Sequence, residues 1–306
     1  NAHKKTPVEI RVNALQEFNH LIQRNTNFRE LEPEIVQDFL SVLFKRLDDK
    51  PNVINEAEKV LSNIVNNISI QSLPLFIELV SPELQIDSKW RSKYGCLKLL
   101  SLFLTRVFEF DRDLLSACLP ELVSLITPLV HELKSEVANE SRKVLLQSLQ
   151  GITNRDLEPF AQSLVNAIIN REETEETIQQ LGGVVFVQTV EGSALSVVVP
   201  LLLAGFRQPK SVVKRMCSRI VSNMSKLVED PLEALPFLDE LIPSLEDACE
   251  TIPDPEAREV AIKTLESLNK MKTSAKEKPF RKREVITKNL VDKIGATPIF
   301  SKQIIE

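Results

Sequence analysis

The sequence is poor in glycine, with 7 in 306 residues, whereas soluble proteins average about 7% glycine. Parallel α/β enzymes and β-sandwiches use glycine in phosphate-binding loops and tight turns. Aromatic residues make up only 5% of the chain, so a platform of aromatic side chains that stacks nucleic-acid bases is not expected. The two shortages together favour a helical protein.

Paired cysteines and long apolar runs are also missing. No C-x-x-C pair occurs, so neither a zinc site nor a redox motif is predicted; buried thiols in a reducing compartment are expected for the four cysteines, Cys96, Cys118, Cys217 and Cys249. The longest apolar run, Ala194 to Phe206, is broken by Ser196 and Pro200 and is too short to span a bilayer.

The residues that carry catalysis are missing as well. There is no G-x-x-x-x-G-K-[ST] phosphate loop, and the three histidines lie far apart without carboxylate company. We therefore predict no catalytic residue, no metal site and no cofactor in this chain. No signal peptide is visible, and the absence of an initial methionine predicts a piece of a longer protein.

Six prolines recur at a nearly constant interval. The intervals are 41, 46, 39, 41 and 36 residues, between Pro33, Pro74, Pro120, Pro159, Pro200 and Pro236. This period is typical of HEAT or armadillo repeats, which are pairs of helices of roughly 40 to 47 residues. Proline is tolerated in the first turn of a helix, so each proline is predicted to begin the first helix of a pair.

A second helical pattern follows each proline segment. The predicted second helices are 52–70, 89–107, 135–152, 174–190, 210–228 and 254–271. In the last one a stripe of Ala257, Val260, Ala261, Leu265, Leu268 and Met271 is expected to face the core. Gly182 and Gly183 fall inside the fourth pattern and predict a close contact between helices.

The fold class predicted from these patterns is all-α, a HEAT/armadillo-type α-solenoid of about six helix pairs. Residues 1–272 form the repeat array, whose first repeat is truncated to the helix 7–24. Residues 273–283 are predicted to be a basic loop, and 284–306 the start of a further helical repeat.

Charge is segregated along the chain, whose net charge is −5. Residues 207–226 carry six basic residues and no acid, 227–269 carry twelve acids and two bases, and 270–293 carry nine bases and three acids. Two basic blocks on one rigid rod favour a polyanionic partner, although each block alone is compatible with an ordinary solvated face.

The candidate binding residues belong to three basic stretches. Lys210 and Lys214 are four residues apart and share a helix face, and Lys89 and Lys93 repeat that spacing near the start of their own helix. Equivalent positions of successive pairs line one edge of a solenoid, which predicts a broken basic row made of Arg207, Lys210, Lys214, Arg215, Lys89, Arg91, Lys93, Arg281, Lys282 and Arg283. The alternative is that these lysines pair with acids of the next repeat, such as those in 227–269.

Three motifs give a family resemblance: Lys226 to Pro231, Pro236 to Leu238, and Asp254 to Val260. Together they resemble the N-terminal HEAT region of the fungal translation elongation factor 3 family of ABC-F ATPases. The likeness covers 73–271 and weakens towards both ends. Wide departures between the motifs favour a paralogue with a prion-like N-terminus over elongation factor 3 itself. A related HEAT segment in the large activator of the eIF2-kinase pathway is a weaker match.

The resemblance implies a ribosome-binding module, with rRNA and ribosomal proteins as its partners and a cytoplasmic location. In that family a helical bundle and two ATPase cassettes follow the HEAT array, so ATP and magnesium are expected only in cassettes absent from this chain. No DNA, membrane or small-molecule substrate is expected. The rival interpretation is a HEAT-type protein–protein scaffold, like a transport receptor or a phosphatase scaffold, without a role on the ribosome.

Overall fold

The computed structural model describes residues 6–24 and 28–277, and these residues form helices and connecting turns without a strand. The fifteen α-helices are α1 Val8–Arg24, α2 Phe28–Glu34, α3 Leu40–Phe44, α4 Pro51–Asn67, α5 Leu73–Val80, α6 Trp90–Phe110, α7 Arg112–Ala117, α8 Leu119–Ile126, α9 Ser135–Leu149, α10 Ala161–Ile169, α11 Thr174–Gly182, α12 Gly192–Phe206, α13 Ser211–Ser225, α14 Pro231–Thr251 and α15 Pro255–Glu277. The all-α prediction is confirmed.

The helices form six successive pairs. The first helices are α2–α3, which a π-helical turn at Ile35–Phe39 joins, and then α5, α8, α10, α12 and α14; the second helices are α4, α6, α9, α11, α13 and α15. Helix α1 packs against α4 in the row of second helices. This position is the one expected for the second half of a truncated repeat.

The core is one continuous apolar layer between the two rows of helices. In α4 the buried residues are Val53, Ala57, Val60, Leu61, Ile64 and Val65, at spacings of three and four. Phe76 makes edge-to-face contacts with Phe44 and Phe103, at centroid distances of 5.8 and 5.2 Å. Rings from two successive repeats thus interlock, as expected where each repeat covers its neighbour's apolar face.

The prolines mark the repeats but do not all begin a helix. Pro74 and Pro120 lie in the first turn of α5 and α8, and Pro159 lies in a short 3₁₀ turn before α10. Pro33, Pro200 and Pro236 lie inside helices, which corrects the prediction for these three. A helix bends to accommodate an internal proline, because the proline cannot donate to the carbonyl four residues earlier.

Two predicted boundaries differ from the structure. Helix α11 ends at Gly182, not near residue 190. The carbonyl of Gly182 accepts a 2.5 Å bond from Arg219 of α13, but the close approach of helices predicted at the two glycines is not found, because a Cβ at either position would meet no atom nearer than 3.4 Å. Helix α15 extends to Glu277, so the first five residues of the predicted basic loop are helical. The rest of that loop and the repeat predicted for 284–306 lie outside the described residues.

The stripe predicted for α15 is also shifted. Ala257, Ala261 and Leu268 are buried as expected, but Val260 is 39% exposed and Leu265 is only half-buried. Thr264, between them, is buried and donates its hydroxyl to the carbonyl of Val260. The hydroxyl satisfies itself within the helix, which allows a polar residue on the core face.

The fourth pair interrupts the regular stacking. Helices α10 and α11 have nine residues each. Helix α10 packs mainly against α9 and α12, and α12 packs directly against α8. The row of first helices therefore passes from α8 to α12, with α10 set to one side.

Within the described residues no single helix has the length and apolarity to cross a membrane; only Pro51–Asn67 with Ile70–Leu84 pass together, bent by 116°. The same residues contain no group of three or more His, Cys, Asp or Glu side chains placed to hold a metal ion. Three cysteines are buried and Cys249 is half-buried, and all four are free thiols.

Candidate nucleic-acid interface

Four of the six second helices begin directly after a lysine. Lysine occupies the N-cap position of α4, α6, α9 and α13, at Lys50, Lys89, Lys134 and Lys210, with extended backbone angles at each. The corresponding residues before α11 and α15 are the acids Glu173 and Asp254. Because these positions are equivalent in successive repeats, the lysines lie along one edge of the solenoid.

This arrangement is electrostatically costly for the free protein. The N-terminus of a helix carries a partial positive charge, so a cation there is unfavourable by about 0.3–1 kcal/mol. Part of the first turn is already bonded, because the amides of Val53 and Val213 donate to the carbonyls of Lys50 and Lys210. The edge therefore combines lysine charge with the positive ends of helix dipoles, which suits an anion.

Of the predicted cations, the two lysines that directly precede α6 and α13 pair with acids of the preceding repeat. Lys89 forms an ion pair with Asp48, and Lys210 contacts Glu175 at 2.6 Å. Both lysine side chains remain more than half exposed. An exposed pair of this kind leaves the cation accessible to a second anion.

The lysines one turn further along pair with the following repeat and are buried. Lys93 is 2% exposed and binds Glu132 and, at 2.9 Å, the carbonyl of Ile86. Lys214 is 8% exposed and lies 3.1 Å from Asp247 and 2.8 Å from the hydroxyl of Thr251.

Arg215 reaches Asp254 at 3.7 Å. Asp247 and Asp254 belong to the acidic stretch 227–269. The alternative in which basic residues pair with acids of the next repeat therefore describes Lys93, Lys214 and Arg215.

Trp90, the first residue of α6, lies between two cations. The guanidinium of Arg91 is 4.8 Å and the ammonium of Lys134 is 5.3 Å from the centre of its ring. The ring is half-buried and packs on the core with its inner side. The contact holds cations of two repeats together at the edge, through the attraction of a cation to the face of the ring.

Arg207, in the turn between α12 and α13, is exposed and makes no ion pair within the described chain. The exposed cations at this side of the array form what we call the basic edge: Lys50, Lys89, Arg91, Lys134, Arg207, Lys210 and Arg215. The predicted residues Arg281, Lys282 and Arg283 lie outside the described residues.

Sequence reasoning missed Lys50 and Lys134. Each stands directly before a second helix, in Lys50-Pro51 and Lys134-Ser135. The signal in the sequence is the position relative to the helix start, whereas the predicted row rests on local density of charge. A lysine directly before a second helix belongs to the row of N-cap lysines even where no other basic residue is close to it in the sequence.

Burial perturbs two of the cysteine thiols of the array. Burial, with the charge of Glu121 as a smaller cause, raises the pKa of Cys118 to about 11. Burial likewise raises the pKa of Cys217 to about 12. Both thiols therefore stay protonated near neutral pH and are poor nucleophiles.

Comparison with known proteins agrees with the repeat architecture. One family model, "EF3 N-terminal HEAT repeat", matches residues 1–145, and a second, "Elongation factor 3/GNC1 HEAT repeat", matches residues 172–279. The similar solved structures include a designed armadillo repeat protein, at 16% identity over 87% of this chain and 96% of that chain, with a TM-score of 0.29.

Curated relatives give the same family. Elongation factor 3A of Saccharomyces cerevisiae is 29% identical over 85% of this chain and 24% of its own length. Elongation factor 3 of Mycosarcoma maydis is 33% identical over 79% of this chain and 23% of its own length, and that of Phytophthora infestans 31% over 88% and 25%. The chain spans about a quarter of the length of these relatives.

The molecule is a HEAT-repeat α-solenoid. Two models of one family match its two parts, and the chain belongs to the elongation factor 3 family, of which it represents the HEAT region.

Proposed function

We propose that this chain docks its parent protein on the ribosome and that the basic edge supplies the contacts to rRNA. The observation that carries the proposal is the recurrence of lysine at the start of four second helices. A phosphate placed there gains both the lysine charge and the positive end of the helix dipole. Family membership supports a role in translation.

Contacts of this type read the phosphate backbone and not the bases. They position the protein on folded RNA and give an affinity that falls steeply with salt. The spacing of the cations follows the repeats, so the edge fits a curved or irregular run of phosphates. The residues that contribute most are those that form no ion pair within the described residues: Lys50, Arg91, Lys134 and Arg207.

Cosedimentation with ribosomes between about 50 and 200 mM salt tests the proposal. The edge variant changes Lys50, Arg91, Lys134 and Arg207 to Glu. It is expected to bind weakly and to reduce the salt slope of log K by about one unit per lost phosphate contact. Lys214 is left intact, because a carboxylate buried beside Asp247 would unfold the contact between repeats.

The matched control reverses four exposed cations away from the edge: Arg24, Arg155, Lys226 and Lys270. It changes the net charge equally and is expected to bind like the unchanged chain. Equal losses in both variants would reduce the effect to overall charge and contradict the proposal. Loss confined to a variant with Arg281, Lys282 and Arg283 changed to Glu would move the site to the C-terminal stretch.

In this proposal the chain itself is not an enzyme. The parent protein is a cytoplasmic ATPase whose cassettes lie outside these residues, and the HEAT array anchors them. The prediction that the parent is the paralogue with a prion-like N-terminus stays a prediction.

A further inference from the structure

An open groove of about 1070 Å³ runs across the row of first helices, between α8, α12 and α14. A second groove of about 750 Å³ lies between α5 and α8. The two share Ala117, Ser124 and Pro128, so they form one trough, here called the first-helix groove. It is made by residues of the first helices, of α7 and of the turns beside them, whereas the basic edge lies at the starts of the second helices.

The charge of this groove is of one sign. Its carboxylates are Glu78, Glu121, Asp113, Glu191, Glu233 and Glu240, and among the described residues no lysine or arginine lines either part of the trough. Glu233 accepts the amide of Gly192 at 2.8 Å. The other five are exposed and have no ion-pair partner within the described chain, unlike the acids that face the basic edge.

The backbone adds further acceptors. Pro200 and Pro236 lie inside α12 and α14 and line the groove. Neither can donate a backbone bond to the carbonyl four residues earlier, that of Ser196 or of Leu232. Both of these residues also line the groove, so two backbone acceptors without an intrahelical partner add to its carboxylates.

The floor of the groove has an apolar part, which includes Val199, Leu203 and Phe237. Lysine and arginine carry long aliphatic stems that pack on such surface while their charged ends reach a carboxylate. An RNA strand is excluded by the same features, because its phosphates would face unpaired carboxylates.

We propose that the first-helix groove binds an extended, lysine- and arginine-rich peptide segment of a partner protein. The part between α8 and α14 spans two helix-to-helix steps, or roughly 20 Å, which about six residues of extended chain cover. The charged ends would meet Asp113, Glu191 and Glu240, and backbone amides would donate to the acceptors of α12 and α14. The inference does not depend on the proposed ribosome contacts.

Fluorescence anisotropy with the full chain tests the proposal. The probe is a fluorescein-labelled peptide of about twelve residues that alternates lysine and serine, roughly 40 Å long when extended. The groove variant changes Asp113, Glu191 and Glu240 to Lys and is expected to weaken binding about tenfold or more. Far-UV circular dichroism checks that both variants keep the helical signal.

The control changes Glu17, Glu109 and Glu246 to Lys, which are exposed acids outside the groove without an ion-pair partner in the described structure. It alters the net charge equally and is expected to bind the peptide as the unchanged chain does. No binding by the unchanged chain, or equal weakening in both variants, overturns the proposal. Binding that appears only after Arg281, Lys282 and Arg283 are changed to Glu also overturns it, since the chain's own basic stretch would then occupy the groove.

Discussion

At the scale of single residues, a lysine one turn inside α6 and one inside α13 join neighbouring repeats from a buried position. We expect Lys93→Met to lower the free energy of unfolding by about 3 kcal/mol, because Glu132 and the carbonyl of Ile86 lose their partner. Lys89→Met removes an exposed pair with Asp48 and is expected to cost less than about 1 kcal/mol. Urea denaturation of the two variants gives the comparison. Similar costs for both would show that the burial of Lys93 does not matter.

Asp49 provides the pH dependence at this scale. Partial burial raises its pKa, but the amide of Lys50 and the charges of Arg11 and Arg46 outweigh burial, so the net pKa lies below its ordinary value of 3.8. A lowered pKa in the folded state stabilises the fold above the unfolded-state pKa and loses that contribution as the pH falls through the folded-state pKa. Asp49→Asn should therefore cost about 1 kcal/mol near pH 7. The difference in the free energy of unfolding between this variant and the unchanged chain should shrink below about pH 4. Urea titrations at both pH values measure this difference. A difference that does not change with pH would contradict the lowered pKa of Asp49.

The buried lysines also show where sequence reasoning stopped. The spacing of Lys89 and Lys93 predicted a shared helix face. In the structure, however, Lys89 pairs with Asp48 of the preceding repeat, and Lys93 pairs with Glu132 of the following repeat. Glu132 is 39 residues from Lys93 and Asp247 is 33 from Lys214, close to one repeat. The repeat period can be read from the sequence. Which acid of the next repeat lies opposite a given lysine depends on how two helices pack, and no local sequence pattern contains that information.

At the scale of the helices, Gly205 sets how closely α12 approaches its neighbours. A Cβ there would lie 2.4 Å from Ile178 Cδ1 of α11 and 2.5 Å from Cys217 Sγ of α13, both fully buried. Gly205→Ala is therefore expected to destabilise the protein by about 1–3 kcal/mol through overpacking. Gly183→Ala is the control, because its Cβ would meet only the carbonyl of Gln180 at 3.5 Å. Thermal unfolding of the two variants decides the matter; a harmless Gly205→Ala would mean that α12 shifts freely.

Helix existence was more predictable than helix position. The proline period found every pair, since a break recurs wherever the chain must turn back, but Pro33, Pro200 and Pro236 do not lie at helix starts. The apolar pattern after Gly183 continued, although Val185 and Val187 are exposed outside α11. Periodicity shows that apolar residues recur and leaves open whether a neighbouring helix is present to cover them.

At the scale of the molecule, the array consists of two blocks that meet at the fourth pair. The two family models end at residue 145 and begin at residue 172, and α10 lies between these limits. Helix α12 packs directly on α8, so the row of first helices is continuous across the junction. The fourth pair therefore adds little to the first-helix row.

We expect this junction to open more readily than the blocks on either side. Helices of nine residues bury less apolar surface than the fifteen-residue helices α9 and α13, and local stability follows buried contacts. Hydrogen exchange measured by mass spectrometry should give faster exchange in 161–182 than in α9 or α13. Because repeats are stabilised by their neighbours, Gly205→Ala, which loosens the contact between α11 and α12, should speed exchange in α11 more than in α6. Equal protection of α9, α10, α11 and α13 would show one cooperative array, and the short fourth pair would then be held as firmly as the rest.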